Sequence, residues 1–342
     1  MSARAYIIPV FVPHAGCPQH CVFCDQKRIS GSEKAATAET VIQAIKTAAA
    51  LPRTGAKRQL AFYGGSFTAI PAARQEELLG AAAEAIERGE LDAIRLSTRP
   101  DAIDGTVLAR LRRFGVETVE LGAQSMDDEV LRLSGRGHTA QDVENAAAAL
   151  KAAGFRLILQ MMTGLPGSDD EKDLETARRL IALRPDGVRV YPTVIVRGTE
   201  LWQMWQRGEY REHTVEDAVR VCARILPLFE EAGIPVIRLG LNPTEELSSG
   251  EAAGGAYHSA LGELVKSRVM LERARALLAE STPGSRVTLG TAERTLSQAI
   301  GQKKENLRRL RSEYGLADIK VVPALVNEGE IVLLSVEKDG EL

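Results

Sequence analysis

Three of the four cysteines in the chain, Cys17, Cys21 and Cys24, lie within eight residues in the pattern C-x-x-x-C-x-x-C. Thiolates are the soft ligands of iron–sulfur clusters, which normally take four protein ligands. A cluster held by only three thiolates leaves one iron with an open coordination site. The spacing therefore predicts an iron–sulfur cluster that can bind a second molecule.

An open iron of this kind can be chelated by the amino and carboxylate groups of S-adenosylmethionine. One electron from the cluster then cleaves the sulfonium and gives a 5′-deoxyadenosyl radical. The aromatic Phe23, directly before the last cysteine, favours this interpretation. We therefore expect a 4Fe–4S cluster on Cys17, Cys21 and Cys24, S-adenosylmethionine beside it, and a reductant such as flavodoxin or ferredoxin.

Three other uses of these cysteines remain open at this point. A zinc site normally has four protein ligands or three plus water, and His14 or His20 is close enough to complete one. A structural disulfide would leave one cysteine of the group over, and a redox dithiol is the third alternative. Cys222 lies apart, in an amphipathic helical pattern, and is predicted to be a small buried side chain.

The composition limits the class of protein. The chain has 342 residues, with 43 Lys and Arg against 46 Asp and Glu. This balance lacks the basic excess of a dedicated nucleic-acid binder, although a local basic patch is compatible with it. The N-terminal apolar run is too short for a signal peptide, and no segment approaches a membrane span. We therefore expect no membrane association and a cytoplasmic protein, since thiols stay reduced there.

Strand and helix patterns alternate along the first 240 residues, and each helix follows a short apolar run. About six such units predict an α/β fold with a partial (β/α)6-type barrel over residues 1–240. The predicted strands are 6–12, 59–63, 93–97, 118–121, 155–162, 187–196 and 234–240, and the predicted helices are 38–51, 71–88, 105–114, 140–153, 170–183 and 215–231.

Residues 241–342 give a different pattern, which predicts a small C-terminal α+β appendage. A loop over 242–255 precedes a helix over 256–280, and three strands follow at 285–289, 319–325 and 331–336. A single basic helix is predicted over 292–314. Its charged side chains form either a solvated face or an RNA contact; they are Lys303, Lys304, Arg308, Arg309 and Arg311.

Polar or glycine-rich clusters follow each predicted strand, at the end of a β/α barrel where working residues lie. Gly64, Gly65 and Ser66 follow the second strand, where glycine lets the backbone approach a ligand closely. An ordinary tight turn is the alternative. The other clusters are 97–101, 122–125, 164–167 and 191–193.

Four stretches resemble a known family: STRPD at 97–101, ELGAQS at 120–125, GRGHT at 135–139 and YPTVIVRGTEL at 191–201. They resemble the radical-SAM core of the Elongator catalytic subunit, without the acetyltransferase domain that follows there. The core is more distantly similar to oxygen-independent coproporphyrinogen III oxidase. The resemblance covers roughly residues 5 to 240 and implies a radical-SAM enzyme with the cluster and S-adenosylmethionine as cofactors.

The resemblance also implies roles for single residues in cofactor binding. The loop from Gly64 to Ser66 would hold the methionine amino group, and Gln124 and Arg136 would contact the ribose and the methionine carboxylate. Ser97 stands where those families usually carry an acidic residue for the ribose, and Gln160 where the porphyrin enzymes carry an acid. Arg136 could instead cap a helix, and Gln124 could bond to backbone.

Substrate contacts and substrate class are less specific. Tyr191, Arg197, Tyr257 and His258 are candidate substrate contacts, with packing of the tyrosines and a structural histidine as the alternatives. The resemblance favours RNA, and tRNA above other RNAs. A small-molecule substrate such as a porphyrin precursor is one alternative, and a non-catalytic metal-stabilised binding module is the other.

Overall fold

The computed structural model describes residues 5–12, 21–24, 36–52, 55–241 and 252–337. The chain forms two compact units. The first comprises Met1–Thr214 and Leu228–Tyr257, and the second comprises Val215–Pro227 and His258–Leu342. The sequence placed a boundary between residues 240 and 241, and that boundary remains a prediction.

The first unit contains a seven-stranded sheet in the order β1-β2-β3-β4-β5-β6-β8, with all neighbouring strands parallel. This confirms the predicted α/β barrel class. The strands are β1 (Ala5–Phe11), β2 (Lys57–Tyr63), β3 (Ala93–Thr98), β4 (Val116–Gln124), β5 (Arg156–Thr163), β6 (Gly187–Pro192) and β8 (Val236–Leu239). A short antiparallel pair is formed by β7 (Val194–Val196) and β9 (Ala252–Gly255).

Helices connect successive strands, and side-chain caps fix where several of them begin. Thr37 and Thr139 each form a capping box, and Asp104 and Asp169 accept from backbone N–H groups of the first turn. The helices are α1 (Ala38–Ala49), α2 (Ala72–Glu87), α3 (Gly105–Arg113), α4 (Asp128–Leu133), α5 (Ala140–Ala152), α6 (Asp170–Ala182), α7 (Glu200–Gln206) and α8 (Val215–Glu231).

The two faces of the sheet differ in chemistry because successive side chains of a strand point to opposite sides. On β4, Val119 and Leu121 are fully buried on the face that helices cover, whereas Glu120 points to the inner face. Strand register places Gln160 and Arg189 side by side on that inner face. The inner face of the sheet is therefore rich in polar and charged side chains.

The sheet is strongly curled. Strands β2 and β6 lie four positions apart, which in a flat sheet is roughly 19 Å at about 4.8 Å per strand. Nevertheless, Nη2 of Arg189 on β6 donates to the hydroxyl of Tyr63 on β2 at 3.1 Å. Side chains on distant strands meet across the inner face because the sheet bends into part of a barrel.

Local differences from the predicted elements occur at short segments. The predicted strand 187–196 is two strands, because Thr193 turns back and bonds to the carbonyl of Thr163 through its own N–H and hydroxyl. Helices α4 and α7 were not predicted, because a helix of six or seven residues has too few turns to show a helical repeat of apolar residues. Strand β9 falls at the end of the predicted loop 242–255.

The second unit confirms the predicted α+β appendage. Helix α9 (Leu261–Leu278) packs with a three-stranded sheet in the order β11-β10-β12, formed by β10 (Arg286–Thr291), β11 (Asp318–Pro323) and β12 (Ile331–Glu337). Its apolar core includes Leu271, Leu278, Val287, Leu289 and Leu310. Of the helices that the structure describes, none is long and apolar enough to cross a membrane.

The predicted single basic helix over 292–314 is wrong. It is broken at Gly301, whose φ of 77° lies in the left-handed region. The two pieces are α10 (Leu296–Ile300) and α11 (Glu305–Glu313). Nδ2 of Asn306 donates to the carbonyls of Gln298 and Ala299 at 3.1 and 3.2 Å, so it satisfies the end of α10.

Candidate active site

The cysteine turn is anchored to two other elements at the carboxyl end of the sheet. The N–H of Cys24 bonds to the carbonyl of Cys21 at 3.0 Å, which closes a tight turn. Val22 at its centre donates to the carbonyl of Ser134, after α4, and accepts from the N–H of Leu201 in α7. Both short helices therefore hold the cysteine turn in place.

The structure describes two of the three predicted cluster ligands. Cys21 is buried and Cys24 is half-buried, whereas Cys17 lies outside the described residues. His14 and His20, the possible zinc ligands, lie outside them too. Cys222 is fully buried in α8, as its helical pattern predicted.

Phe23 connects the cysteine turn to the strands. It packs against an apolar cluster of Val130 from α4, Met162 from β5 and Leu165, and Tyr191 from β6 packs against the same cluster. This packing holds the cysteine turn against the end of β5. Phe23 thus positions the turn at the barrel edge, where the sequence placed the cofactor.

Arg136 is the side chain that joins the cysteine turn to the sheet. Nη1 donates to Sγ of Cys21 at 3.4 Å, and Nη2 donates to the carbonyl of Gly122 at 2.8 Å. Its Nε is buried and has no hydrogen-bond partner among the residues that the structure describes. None of these bonds caps a helix. Because buried donors normally have a hydrogen-bond partner, the Nε of Arg136 is available to an acceptor atom of a ligand.

Arg99 supports Arg136, a role that the sequence did not predict. Its side chain is 1% exposed, Nη2 donates to the carbonyl of Arg136 at 2.6 Å, and Nε is paired with Asp101. The sequence singled out residues 97–101 as a polar cluster after a strand and as part of the resemblance, but gave Arg99 no role. An arginine placed directly after a buried strand is the signal that could have identified it.

Gln124 ends β4 in an unusual conformation. Its φ of 63° is left-handed, which is uncommon outside glycine and concentrates at functional sites. Its Oε1 accepts from Nε2 of Gln160 at 3.3 Å, so the two predicted cofactor contacts touch each other. A Cβ on Gly122 would lie 2.8 Å from Nε2 of Gln124, so any larger residue there would displace the Gln124 side chain.

The glycine loop after β2 lies beside the end of β1, which leads to the cysteines. Gly64 has a φ of 91°, and a Cβ there would lie 3.3 Å from Cδ1 of Phe11. Gly65 follows it, and Ser66 is buried where a short 3-10 turn begins. Ser97 on β3 lies level with Glu120 on the inner face.

His138 is a buried neighbour of this site that sequence reasoning passed over. Its Nε2 lies 3.2 Å from the carbonyl of Ala123, and burial together with the charge of Arg136 lowers its pKa to about 4. The ring is therefore neutral near pH 7 and donates through Nε2. The neutral ring bonds to the backbone at the end of β4 and adds no positive charge beside Arg136.

The loop after β5 is held by a buried carboxylate. Asp173 accepts from the N–H of Gly164 at 2.9 Å and from the hydroxyl of Ser168 at 2.6 Å. A Cβ on Gly164, whose φ is 71°, would lie 2.1 Å from Cγ of His213. The hydroxyl of Tyr210 donates to the carbonyl of Gly164 at 2.7 Å, which fixes the loop from the other side.

Asp173 makes stability depend on pH. Burial raises its pKa from 3.8 to about 7, a difference of roughly 4 kcal/mol between the two protonation states. The folded protein keeps a proton that the unfolded chain loses near pH 4. The free energy of unfolding is therefore highest at low pH and falls as pH rises from about 4 to about 7. Urea unfolding from pH 4.5 to 7.5 should show a steeper loss of stability in the wild type than in Asp173→Asn; parallel profiles would contradict this.

The four candidate substrate residues are spread over different elements. Tyr191 is half-buried and packs against the same apolar cluster as Phe23, and its hydroxyl lies 3.2 Å from Nη1 of Arg189. Arg197 is exposed after β7, and Tyr257 packs against β7. Nδ1 of His258 accepts from the N–H of Ala260, which fits the structural alternative for this histidine. Of the four, Tyr191 packs against the same apolar cluster as the cysteine turn.

The arrangement fits a cluster with a carboxylate-bearing ligand. Cys21 and Cys24 present soft sulfur donors from one turn, and the unpartnered Nε of Arg136 faces the same region. Arg136 carries a positive charge that can bind a carboxylate by a charge-assisted hydrogen bond. The left-handed Gln124 and the glycines at 64 and 122 let the strand ends pack closely around this region, since a Cβ on either glycine would meet a neighbouring side chain.

Two family profiles match the chain. The profile of the radical SAM superfamily matches residues 11–180, and that of the radical SAM C-terminal domain matches residues 185–271. The chain is 36% identical over 132 residues to tRNA uridine(34) acetyltransferase of Methanocaldococcus jannaschii, and 32% identical over 179 residues to human Elongator complex protein 3. These alignments cover 38% and 52% of this chain, but 24% and 32% of those proteins.

Solved structures show the same fold. The archaeal Elp3 of Methanocaldococcus infernus, with an N-terminal deletion, matches with a TM-score of 0.62 and 24% identity, over 80% of this chain and 64% of that one. Coproporphyrinogen III oxidase from Escherichia coli matches with a TM-score of 0.50 and 20% identity, over 68% of this chain and 53% of that one. The chain spans about a quarter to a third of the curated relatives it matches.

Proposed function

Because the chain belongs to the radical SAM superfamily, whose cofactors are a 4Fe–4S cluster and S-adenosylmethionine, we propose that it modifies RNA, most specifically tRNA. The observation that carries this proposal is its similarity to tRNA uridine(34) acetyltransferase and Elongator complex protein 3. The proposal concerns the radical step alone and leaves acetyl transfer aside, since the similarity spans a minor part of those relatives.

When bound, the cluster supplies one electron that cleaves S-adenosylmethionine into methionine and a 5′-deoxyadenosyl radical. The chain's own residues would position and protect that chemistry. Cys21 and Cys24, with Cys17, would hold the metal, and Arg136 would hold the methionine carboxylate. Gln124 and Gln160 lie in contact near the end of β4 and would bond to the ribose, which leaves the inner face of the barrel for substrate.

The electron would come from a reductant such as flavodoxin or ferredoxin in the cytoplasm. RNA binding need not involve the basic helix α11. Arg308 and Arg309 both bond to Glu305 in that helix, so part of its positive charge is already balanced. This supports the solvated-face alternative for α11 over the RNA contact.

A nucleoside profile of total RNA from cells with and without the gene tests the proposal. We expect one modified nucleoside to disappear, and to return with the intact gene but not with Cys24→Ala. Since Cys24 provides a cluster thiolate, its loss removes the radical step and leaves the rest of the chain in place. An unchanged profile of tRNA and rRNA, together with an altered metabolite pool, would contradict the RNA proposal and favour a small-molecule substrate.

A further inference from the structure

A group of charged and phenolic side chains meets on the inner face of the curled sheet. Glu120 is 3% exposed, and its carboxylate lies 2.8 Å from Nε of Arg189 and 3.4 Å from Nη1 of Arg95. The hydroxyl of Tyr63 donates to Oε1 of Glu120 at 3.0 Å and accepts from Arg189 at 3.1 Å. We call the following residues the inner-face cluster: Tyr63, Arg95, Glu120, Arg189, Tyr191 and Arg238.

The inner-face cluster carries more positive than negative charge. Three guanidinium groups and one carboxylate belong to it, and register places Arg238 directly beside Arg189. Nε of Arg95 is buried and has no hydrogen-bond partner within the described part of the chain. Partly buried like charges are unfavourable unless an opposite charge compensates them, and a single carboxylate balances only one of the three.

Of the two phenols, Tyr63 already donates its proton to Glu120, whereas Tyr191 accepts from Arg189 and can donate its own. Burial and the neighbouring Glu120 raise the pKa of Tyr63 to about 12, so its hydroxyl keeps its proton at neutral pH. The Arg95 and Arg189 side chains are 12% and 16% exposed, so a small part of each is open to solvent. Guanidinium groups beside a hydroxyl donor are well suited to bind phosphate or carboxylate.

The inner-face cluster lies next to the predicted cofactor contacts. Arg189 pairs in register with Gln160, which bonds to Gln124. Tyr191 lies between the two sites, because it packs against the same apolar cluster as Phe23 of the cysteine turn and its hydroxyl lies 3.2 Å from Nη1 of Arg189. A molecule that extends from the cofactor into the barrel would place its next group against these arginines.

Resting on the proposed radical-SAM function, we propose that the inner-face cluster binds an anionic group of the substrate, a phosphate or a carboxylate. The substrate therefore carries a negative charge close to the atom that reacts. Two sources have this chemistry: the phosphate of a nucleotide within RNA, and the carboxylate of a small metabolite.

Calorimetric titration of the reconstituted full chain, saturated with S-adenosylmethionine and at fixed ionic strength, tests this. The probes are uridine 5′-monophosphate, uridine and succinate. Binding of uridine monophosphate without succinate would identify the nucleotide source, and binding of succinate alone would identify the metabolite source. Equal binding of uridine and its monophosphate, or no binding by any probe, would overturn the proposal.

Substitutions that remove a positive or a negative charge from the inner-face cluster distinguish anion binding from a purely structural role. We expect Arg189→Met to weaken binding of the anionic probe at least ten-fold, and Glu120→Gln to strengthen it because one competing negative charge is removed. Arg238→Gln spares the ion pairs of Glu120 and should also weaken binding, so the test survives if Arg189→Met fails to fold. Arg207→Met, an exposed control that pairs with Glu200 and Glu209, should change nothing.

Weaker binding in Glu120→Gln, or unchanged binding in Arg238→Gln, would show that the cluster only supports the sheet. The heat of binding does not depend on turnover. A failed nucleoside test would therefore leave this result standing, and a failed titration would leave the RNA proposal standing.

Discussion

Replacing either Cys21 or Cys24 with alanine should reduce iron content and 5′-deoxyadenosine formation to the level of a control without enzyme. Both residues lie in one tight turn that Ser134 and Leu201 anchor, so the turn keeps its shape while one sulfur ligand is lost. A cluster that needs three thiolates cannot be held by two. Anaerobic reconstitution, followed by iron and sulfide analysis, measures the effect.

Cys222→Ala is the matched control for this experiment. Cys222 is fully buried in α8, as expected of a cysteine that packs as a small hydrophobic residue. Its replacement should leave the iron content unchanged and cost about 1 kcal/mol of stability. Full cluster loading in Cys21→Ala, or loss of iron in Cys222→Ala, would refute the assignment of ligands.

Arg136→Ala should weaken S-adenosylmethionine binding at least ten-fold, equivalent to about 1.4 kcal/mol. The substitution removes a buried positive charge and a donor, Nε, that has no other partner among the described residues. Hydrogen bonds to charged groups contribute roughly 1.5–3 kcal/mol, which is enough for this loss. Equilibrium binding to reconstituted protein, with the cluster absorbance followed in parallel, provides the measurement.

Arg132→Ala separates a local effect from a general effect of charge. Arg132 lies four residues away on α4, is exposed, and bonds to Glu129. It should bind S-adenosylmethionine as the wild type does. Similar affinity in both variants would remove Arg136 from the cofactor site, and loss of cluster absorbance in Arg136→Ala would point to its bond with Cys21 instead.

The sequence predicted the sheet of the first unit well because each strand is a short apolar run followed by a long helical period. Most predicted bounds are within one to three residues of those observed, as in the strand predicted at 59–63 and found at Lys57–Tyr63. The sequence also placed the candidate site residues at one edge of this sheet. Residues that follow parallel strands share one edge, whatever the curvature of the sheet.

Contacts that depend on curvature could not be predicted. Tyr63, Glu120 and Arg189 are separated by more than fifty residues from one another along the chain, and only the bend of the sheet brings them within hydrogen-bond distance. The hydrogen bond from Arg99 to the carbonyl of Arg136 could not be predicted for a similar reason, because the two residues follow different strands. The prediction of a single basic helix failed because Gly301, Lys303 and Lys304 all have positive φ, and lysines favour a helix in the sequence pattern.

The most direct test of the central claim is anaerobic incubation of the reconstituted wild-type chain with S-adenosylmethionine and dithionite. The products are quantified by liquid chromatography beside a measurement of bound metal. A radical SAM enzyme should contain about four irons per chain and release 5′-deoxyadenosine only when the reductant is present. One tightly bound zinc without iron, and no 5′-deoxyadenosine with or without dithionite, would contradict the account.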